Sequence, residues 1–230
     1  MIPPSFAKPA WLLGLDLGQR HDYTALATIE LLWTCTGRRA VSFEHVWQPT
    51  LNLCGLRRFP LGTSYAEYPK IVARRIQQVN AAAGRLPFAP AGIFLVIDAA
   101  GPGAPIVDEL RRAHLDATIH PMLITGGAAP GYASNGYETV PRRRLISNLI
   151  LLLHHKVLRW AGQLPLRHLL EKELLGLSGG TTHPAEAGGH DDLVMAVAIA
   201  CWQAKCHSPR ILPKTKDGAA GYWTPQGPLF

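Results

Sequence analysis

Three short acidic motifs carry the chemistry open to this chain. They read Gly-Leu-Asp-Leu-Gly at 14–18, Val-Ile-Asp-Ala-Ala-Gly at 96–101 and Gly-His-Asp-Asp-Leu-Val-Met-Ala at 189–196. Asp16 and Asp98 stand at or near the ends of apolar runs, and Asp191 and Asp192 open a long apolar stretch. A carboxylate beside a core is costly unless something pairs with it, and a divalent cation is a natural partner. If these acids converge, they could hold two metal ions about 4 Å apart, which stabilise the attacking and leaving oxygens of an in-line displacement at phosphorus. Asp16 is then the best candidate to bridge both ions, with Asp98 on one and Asp191 or Asp192 on the other. Hard oxygen donors suit Mg²⁺ or Mn²⁺ better than zinc. A zinc site from His183, His190 and Cys201 or Cys206 is an alternative, but matches no standard ligand spacing.

Each acid also has a plain structural reading. Asp16 could start a turn toward Asp22, and Asp98 could form an Asx-turn into the following segment. Asp191 and Asp192 suit a helix N-terminus, where Asp caps well and negative charge is favoured. Capping leaves their setting unexplained, because 193–202 is apolar on every helical face and therefore belongs to a buried helix. Asp22 reads first as a turn residue and second as an acid adjacent to the metals. His190 reads as a helix-flanking hydrogen bonder, or as a group that orients water or meets the scissile phosphate. Arg142, Arg143 and Arg144, beside a Gly-rich segment, could clamp a DNA backbone; a solvated face explains them equally well.

The elements that must position these residues follow from periodicity. Residues 11–17, 23–33 and 40–47 read as strands joined by short turns, an antiparallel meander, with 48–63 irregular. Helical spacing runs from 64 to about 84. Residues 93–98 form a short continuous apolar run of the kind seen in a buried parallel strand. A helix over 102–114 and a strand over 117–124 follow, then a mobile, turn-rich segment at 126–139. One long helix is expected over 142–161, another over 167–177, and the last over 191–205. The fold class is α/β: a mixed sheet, three antiparallel strands then parallel ones, with helices on both faces. Residues 1–10 read as a lead-in, 11–206 as one domain and 207–230 as a Pro/Gly-rich tail.

Composition sets limits on function. With 47% hydrophobic and 17% charged residues, the 230-residue chain is globular rather than disordered. No apolar run approaches the roughly 18–20 residues of a membrane span, so no membrane partner is expected. Four cysteines without Cys-x-x-Cys spacing read as reduced thiols in a cytoplasmic protein. A net charge of +7 and an isoelectric point near 9.5 favour a polyanionic partner.

At the level of motifs the chain resembles the nuclease domain of phage terminase large subunits, within the ribonuclease H-like superfamily. The resemblance rests on Gly-Leu-Asp-Leu-Gly with Asp22-Tyr-Thr-Ala, on Asp98-Ala-Ala-Gly-Pro-Gly with Pro-Ile-Val-Asp-Glu-Leu, and on Gly-His-Asp-Asp-Leu-Val-Met-Ala-Val-Ala. Arg58-Phe-Pro-Leu-Gly-Thr-Ser-Tyr and Val140-Pro-Arg-Arg-Arg-Leu-Ile are similar as well, and the likeness covers roughly 11–206. It implies a metal-dependent endonuclease acting on double-stranded DNA during genome packaging, in a phage-infected or prophage-bearing bacterial cell. The acidic cluster would be Asp16, Asp98 and the Asp191/Asp192 pair. The 230 residues contain no Gly-x-x-x-x-Gly-Lys-Ser/Thr phosphate loop, so the expectation is a nuclease without its own ATPase motor. It would be stand-alone, one piece of a split terminase, an isolated domain or an inactive relic. A separate motor or other packaging subunits are then expected partners. Other readings of the same residues are a junction resolvase, an RNA-strand nuclease, or a non-catalytic nucleic-acid-binding packaging accessory.

Overall fold

The computed structural model describes residues 9–18, 22–42, 45–83, 91–101, 103–177 and 190–207. The elements run β1 (Ala10–Asp16), β2 (Ala25–Arg38), β3 (His45–Arg58), α1 (Tyr68–Ala83), β4 (Gly92–Asp98), α2 (Gly103–Arg112) and β5 (Thr118–Thr125). They continue with β6 (Gly131–Tyr132), β7 (Glu138–Pro141), α3 (Arg142–His154), β8 (Leu158–Trp160), α4 (Arg167–Leu177) and α5 (Asp192–Gln203). All eight strands form one sheet, in the order β6-β7-β5-β4-β1-β2-β3-β8. The β1-β2-β3 meander is antiparallel, and β1, β4, β5 and β7 run parallel. This is the expected α/β mixed sheet, with helices on both faces.

Strand alternation divides the core in two. Trp11, Leu13 and Leu15 of β1 and Ile93, Leu95 and Ile97 of β4 face α1 and α2. Ala10 and Leu12, with Val96 and much of β2, face α5, which α3 and α4 cover from outside. The helix α1 is amphipathic, burying Val72, Ile76, Val79 and Ala83 at helical spacing. By contrast, all twelve residues of α5 are buried, ten of them the apolar run 193–202. No helix among the described residues is long and apolar enough to cross a membrane.

The structure corrects three expected elements. β3 extends through the stretch expected to be irregular, as far as Arg58. Pro49 is tolerated there because Leu51, two residues on, points its N–H out toward the β8 side; at Pro49 that side lies beyond the β8 pairing. The long helix expected over 142–161 stops at His154 and gives way to β8. Lys156 adopts φ 56°, while Lys156 and Val157 donate their amides to Leu153 and Leu152, a Schellman closure formed without glycine. Within the segment expected to be a mobile loop, β6 pairs with β7, whose Val140 is fully buried. Residues 1–8 and the tail from 208 lie outside the described residues.

Candidate active site

Asp16 and Asp98 terminate adjacent parallel strands. Leu15 pairs with Ile97, so the next residue on each strand is one of the two acids, on strands about 4.8 Å apart. Because Leu15 and Ile97 face α1 and α2, alternation turns both acids toward the α5 face. Gly14, on that same face, lets α5 lie against the sheet: a Cβ there would fall 2.0 Å from the Ala196 carbonyl oxygen. Asp192 lies one helical turn, about 6 Å, before Ala196, and Asp16 lies about 7 Å beyond Gly14. The start of α5 is thereby brought to the strand ends that carry Asp16 and Asp98.

Neither aspartate at the start of α5 caps it. Asp191 occupies the cap position without a side-chain capping bond. The free amides of Leu193 and Val194 donate instead to Glu173 Oε2 of α4, at 3.0 and 3.1 Å. Both aspartates are held by arginines: Asp191 pairs with Arg142, and Asp192 Oδ2 receives Arg58 Nη2 at 2.6 Å. The same Arg58 nitrogen reaches Glu173 Oε1 at 3.1 Å. The capping account of Asp191 and Asp192 is therefore replaced by two ion pairs.

Burial dominates the electrostatics. It pushes the Asp16 carboxyl well above the usual carboxylate range, with the negative charges of Asp98 and Asp192 adding to it and Arg142 opposing. Asp98 is raised by burial against hydrogen bonds from the Ala100 and Ile124 amides to its Oδ1. The bond to Ala100 is the Asx-turn expected from sequence; Oδ2 takes no hydrogen bond from the described residues. Asp192 is raised by burial despite Arg58. Glu173 is raised to about 7 by burial, opposed by the Val194 amide and Arg58. Arg142 is lowered by burial, with Asp16 opposing.

The remaining candidates separate. Asp22 is exposed, and its charge adds to the rise at Asp16 and Asp192. His190 sits with Nδ1 3.9 Å from Asp192 Oδ2 and meets the Tyr23 ring edge-on at 5.0 Å. The arginine triplet divides: Arg142 turns inward to Asp191, Arg143 donates to the Ala128 carbonyl, and Arg144 is exposed. The zinc alternative does not assemble: His190 and Cys201 lie at opposite ends of α5, roughly 16 Å apart, and His183 lies outside the described residues. Sequence reasoning missed Glu173 and treated Arg58 only as part of a motif. Nothing local marks Glu173, although a charged residue on the apolar side of α4 is a signal in retrospect.

Among solved structures, the Mn-soaked nuclease domain of human cytomegalovirus terminase is similar over 89% of this chain and 86% of that one, with TM-score 0.56 and 12% identity. A second structure of that domain matches over 86% and 84%, at TM-score 0.53 and 14% identity. The fold is that of the terminase nuclease domains. The zinc-bound large terminase nuclease of thermophilic phage G20c aligns over 88% and 90%, at 18% identity and TM-score 0.42. No protein-family model matches the sequence, and no curated protein matches it significantly.

On this terminase-nuclease fold the donor chemistry fits a hard divalent cation. Asp16, Asp98 and Asp192 offer oxygens only, and burying like charges together favours a cation among them. The side chains as they stand do not close on one point: among the described residues no three His, Cys, Asp or Glu form a ready ligand group. Part of the reason is visible, since Arg58 and Arg142 hold the two aspartates of α5.

Proposed function

We propose that this chain is a Mg²⁺- or Mn²⁺-dependent endonuclease that hydrolyses phosphodiester bonds of double-stranded DNA. One observation carries the reading: half-buried Asp16 lies beside Asp98 on the adjacent strand end and near Asp192 at the start of α5, three carboxylates with no local reason to gather. Asp16, Asp98 and Asp192 would hold the ions, with Asp191 the alternative from α5. Bound ions would activate water and stabilise charge at the phosphorus. The chain's own part is to hold those oxygens on rigid strand and helix ends and to set Arg142 and Arg58 beside them. Its net charge of +7, with Arg144 exposed at the start of α3, favours a polyanionic substrate. The fold neighbours are terminase nuclease domains, some of them soaked with Mn, which supports this metal class and accords with a terminase role; a separate packaging motor would then be a partner. The four free cysteines accord with a reducing, cytoplasmic setting in a phage-infected or prophage-bearing cell.

The test is cleavage of plasmid DNA, a four-way junction and an RNA–DNA hybrid, by wild type beside Asp16→Asn and Asp98→Asn. Duplex cleavage with Mn²⁺ or Mg²⁺ but not Ca²⁺, lost at least 100-fold in both variants, is the expected outcome. Cleavage that survives either variant or excess chelator overturns the assignment. Preference for the junction or hybrid redirects the substrate. DNA binding without cleavage by the wild type leaves a packaging accessory instead.

A further inference from the structure

Arg58 and Glu173 lie outside the acids expected to bind metal, yet both are built into the start of α5. The Arg58 side chain is 14% exposed and that of Glu173 4%, so their contact is a buried one. The Arg58 guanidinium lies 4.2 Å from the centre of the Tyr23 ring, which also meets His190. A single Arg58 nitrogen serves Asp192 and Glu173, while the buried Nε has no hydrogen-bond partner among the described residues. Glu173 divides its oxygens, one to Arg58 and one to the two α5 amides.

This division matters for Asp192. A helix start is usually capped by its own cap residue, here Asp191. With the amides satisfied from α4, both aspartates are released from capping. Asp192 is then claimed by a guanidinium at 2.6 Å, and any cation it binds must compete with that charge. Glu173 draws on the same guanidinium and adds a negative charge nearby.

Accepting Asp192 as a cation ligand, we propose that Arg58 and Glu173 are positioning residues that set the affinity of this site for divalent ions. Arg58 is an internal counter-ion that orients Asp192 and competes with the metal. Glu173 limits that competition by sharing Arg58, while fixing the helix that carries Asp192. The two residues therefore act on metal affinity with opposite signs, which a purely structural role does not produce.

The experiment measures Mn²⁺ binding, by the electron paramagnetic resonance of free ion, for the full chain and for Glu173→Gln, Arg58→Gln and Arg58→Lys. Glutamine at 173 keeps an oxygen for the two amides, removes the charge and turns an NH2 toward Arg58, which ends the sharing of that guanidinium. Glu173→Gln is expected to weaken Mn²⁺ about 10-fold, in the range for residues that support metal ligands. Arg58→Gln is expected to tighten it several-fold while lowering kcat, and Arg58→Lys to keep it near wild type because the charge remains. Melting in chelator checks that each variant folds, and Arg58→Met supplies the charge-removal arm if Arg58→Gln does not. Wild-type Mn²⁺ affinity in Glu173→Gln, or parallel weakening in Glu173→Gln and Arg58→Gln, overturns the proposal and leaves the nuclease reading intact. A wild type that binds no Mn²⁺ overturns the nuclease reading itself.

Discussion

The two faces of the central sheet solve the same packing problem differently. On one face, α1 and α2 bury Val72, Ile76, Val107 and Leu110 against Leu13, Leu15, Leu95 and Ile97, and keep a wet outer side where Arg74 and Arg111 reach water. On the other, α5 has no wet side, because the sheet lies under it and α3 and α4 lie over it. A helix with an exposed flank can leave charges at its end to solvent. A sandwiched helix cannot, so β3 lends Arg58, α3 lends Arg142 and α4 lends Glu173 to the start of α5. The acids gather where a second cover layer has removed water.

The hardest way to break this contrast is to push α5 off the sheet. Gly14→Ala would place a Cβ 2.0 Å from the Ala196 carbonyl and 3.0 Å from the Ala200 amide. Both are backbone atoms that cannot rotate aside, so a loss of about 3 kcal/mol or more is expected in denaturant melts. A melting curve unchanged by Gly14→Ala would mean that α5 does not lie against β1 as described.

A smaller effect, of opposite sign, tests the crowded acids. Their pKa values are raised, so the native state retains protons that the unfolded chain releases near pH 4. Without metal, their contribution to stability is fully present below about pH 4 and is lost as pH rises through the raised values, for Glu173 about 7. Melting in chelator should therefore fall between pH 5 and 8, and Mn²⁺ should raise it more at pH 8 than at pH 5. Asp16→Asn should flatten that slope and stabilise the chelated protein at pH 8 by about 1–3 kcal/mol. A steeper slope in the variant would contradict the burial argument.

The smallest effect belongs where nothing is crowded. A Cβ at Gly176, in the last turn of α4, meets nothing within 4 Å. Gly176→Ala should gain roughly 0.5–1 kcal/mol from helix propensity alone. A loss would show that the outer layer is tighter than its open surroundings indicate.

Much of this was legible in the residues. The buried strands ending in Asp16 and Asp98 announced themselves as apolar runs, and the uniformly apolar 193–202 stretch announced a sandwiched helix. Where the reading failed, local signals were ambiguous. Val157 and Leu158 continue the helical spacing of α3, and the residue that stops the helix is a lysine in a left-handed conformation rather than a glycine. Pro49 lacks the N–H of a fully paired strand residue, and only the position of β8 shows that this side faces an open edge. Glu173 was invisible because its partners lie twenty residues away, on a helix start that it caps from outside.

The antiparallel meander, the parallel strands at 93–98 and 117–124 and the four acids worth watching could be read directly from the residues, because alternation and apolar runs are local properties of a chain. The sequence also determined that α5 must be buried. How those acids are held is a matter of long-range packing. Whether Asp191 and Asp192 cap a helix or face arginines depends on which distant groups reach the amides first, and burial strengthens such contacts between residues the chain keeps far apart.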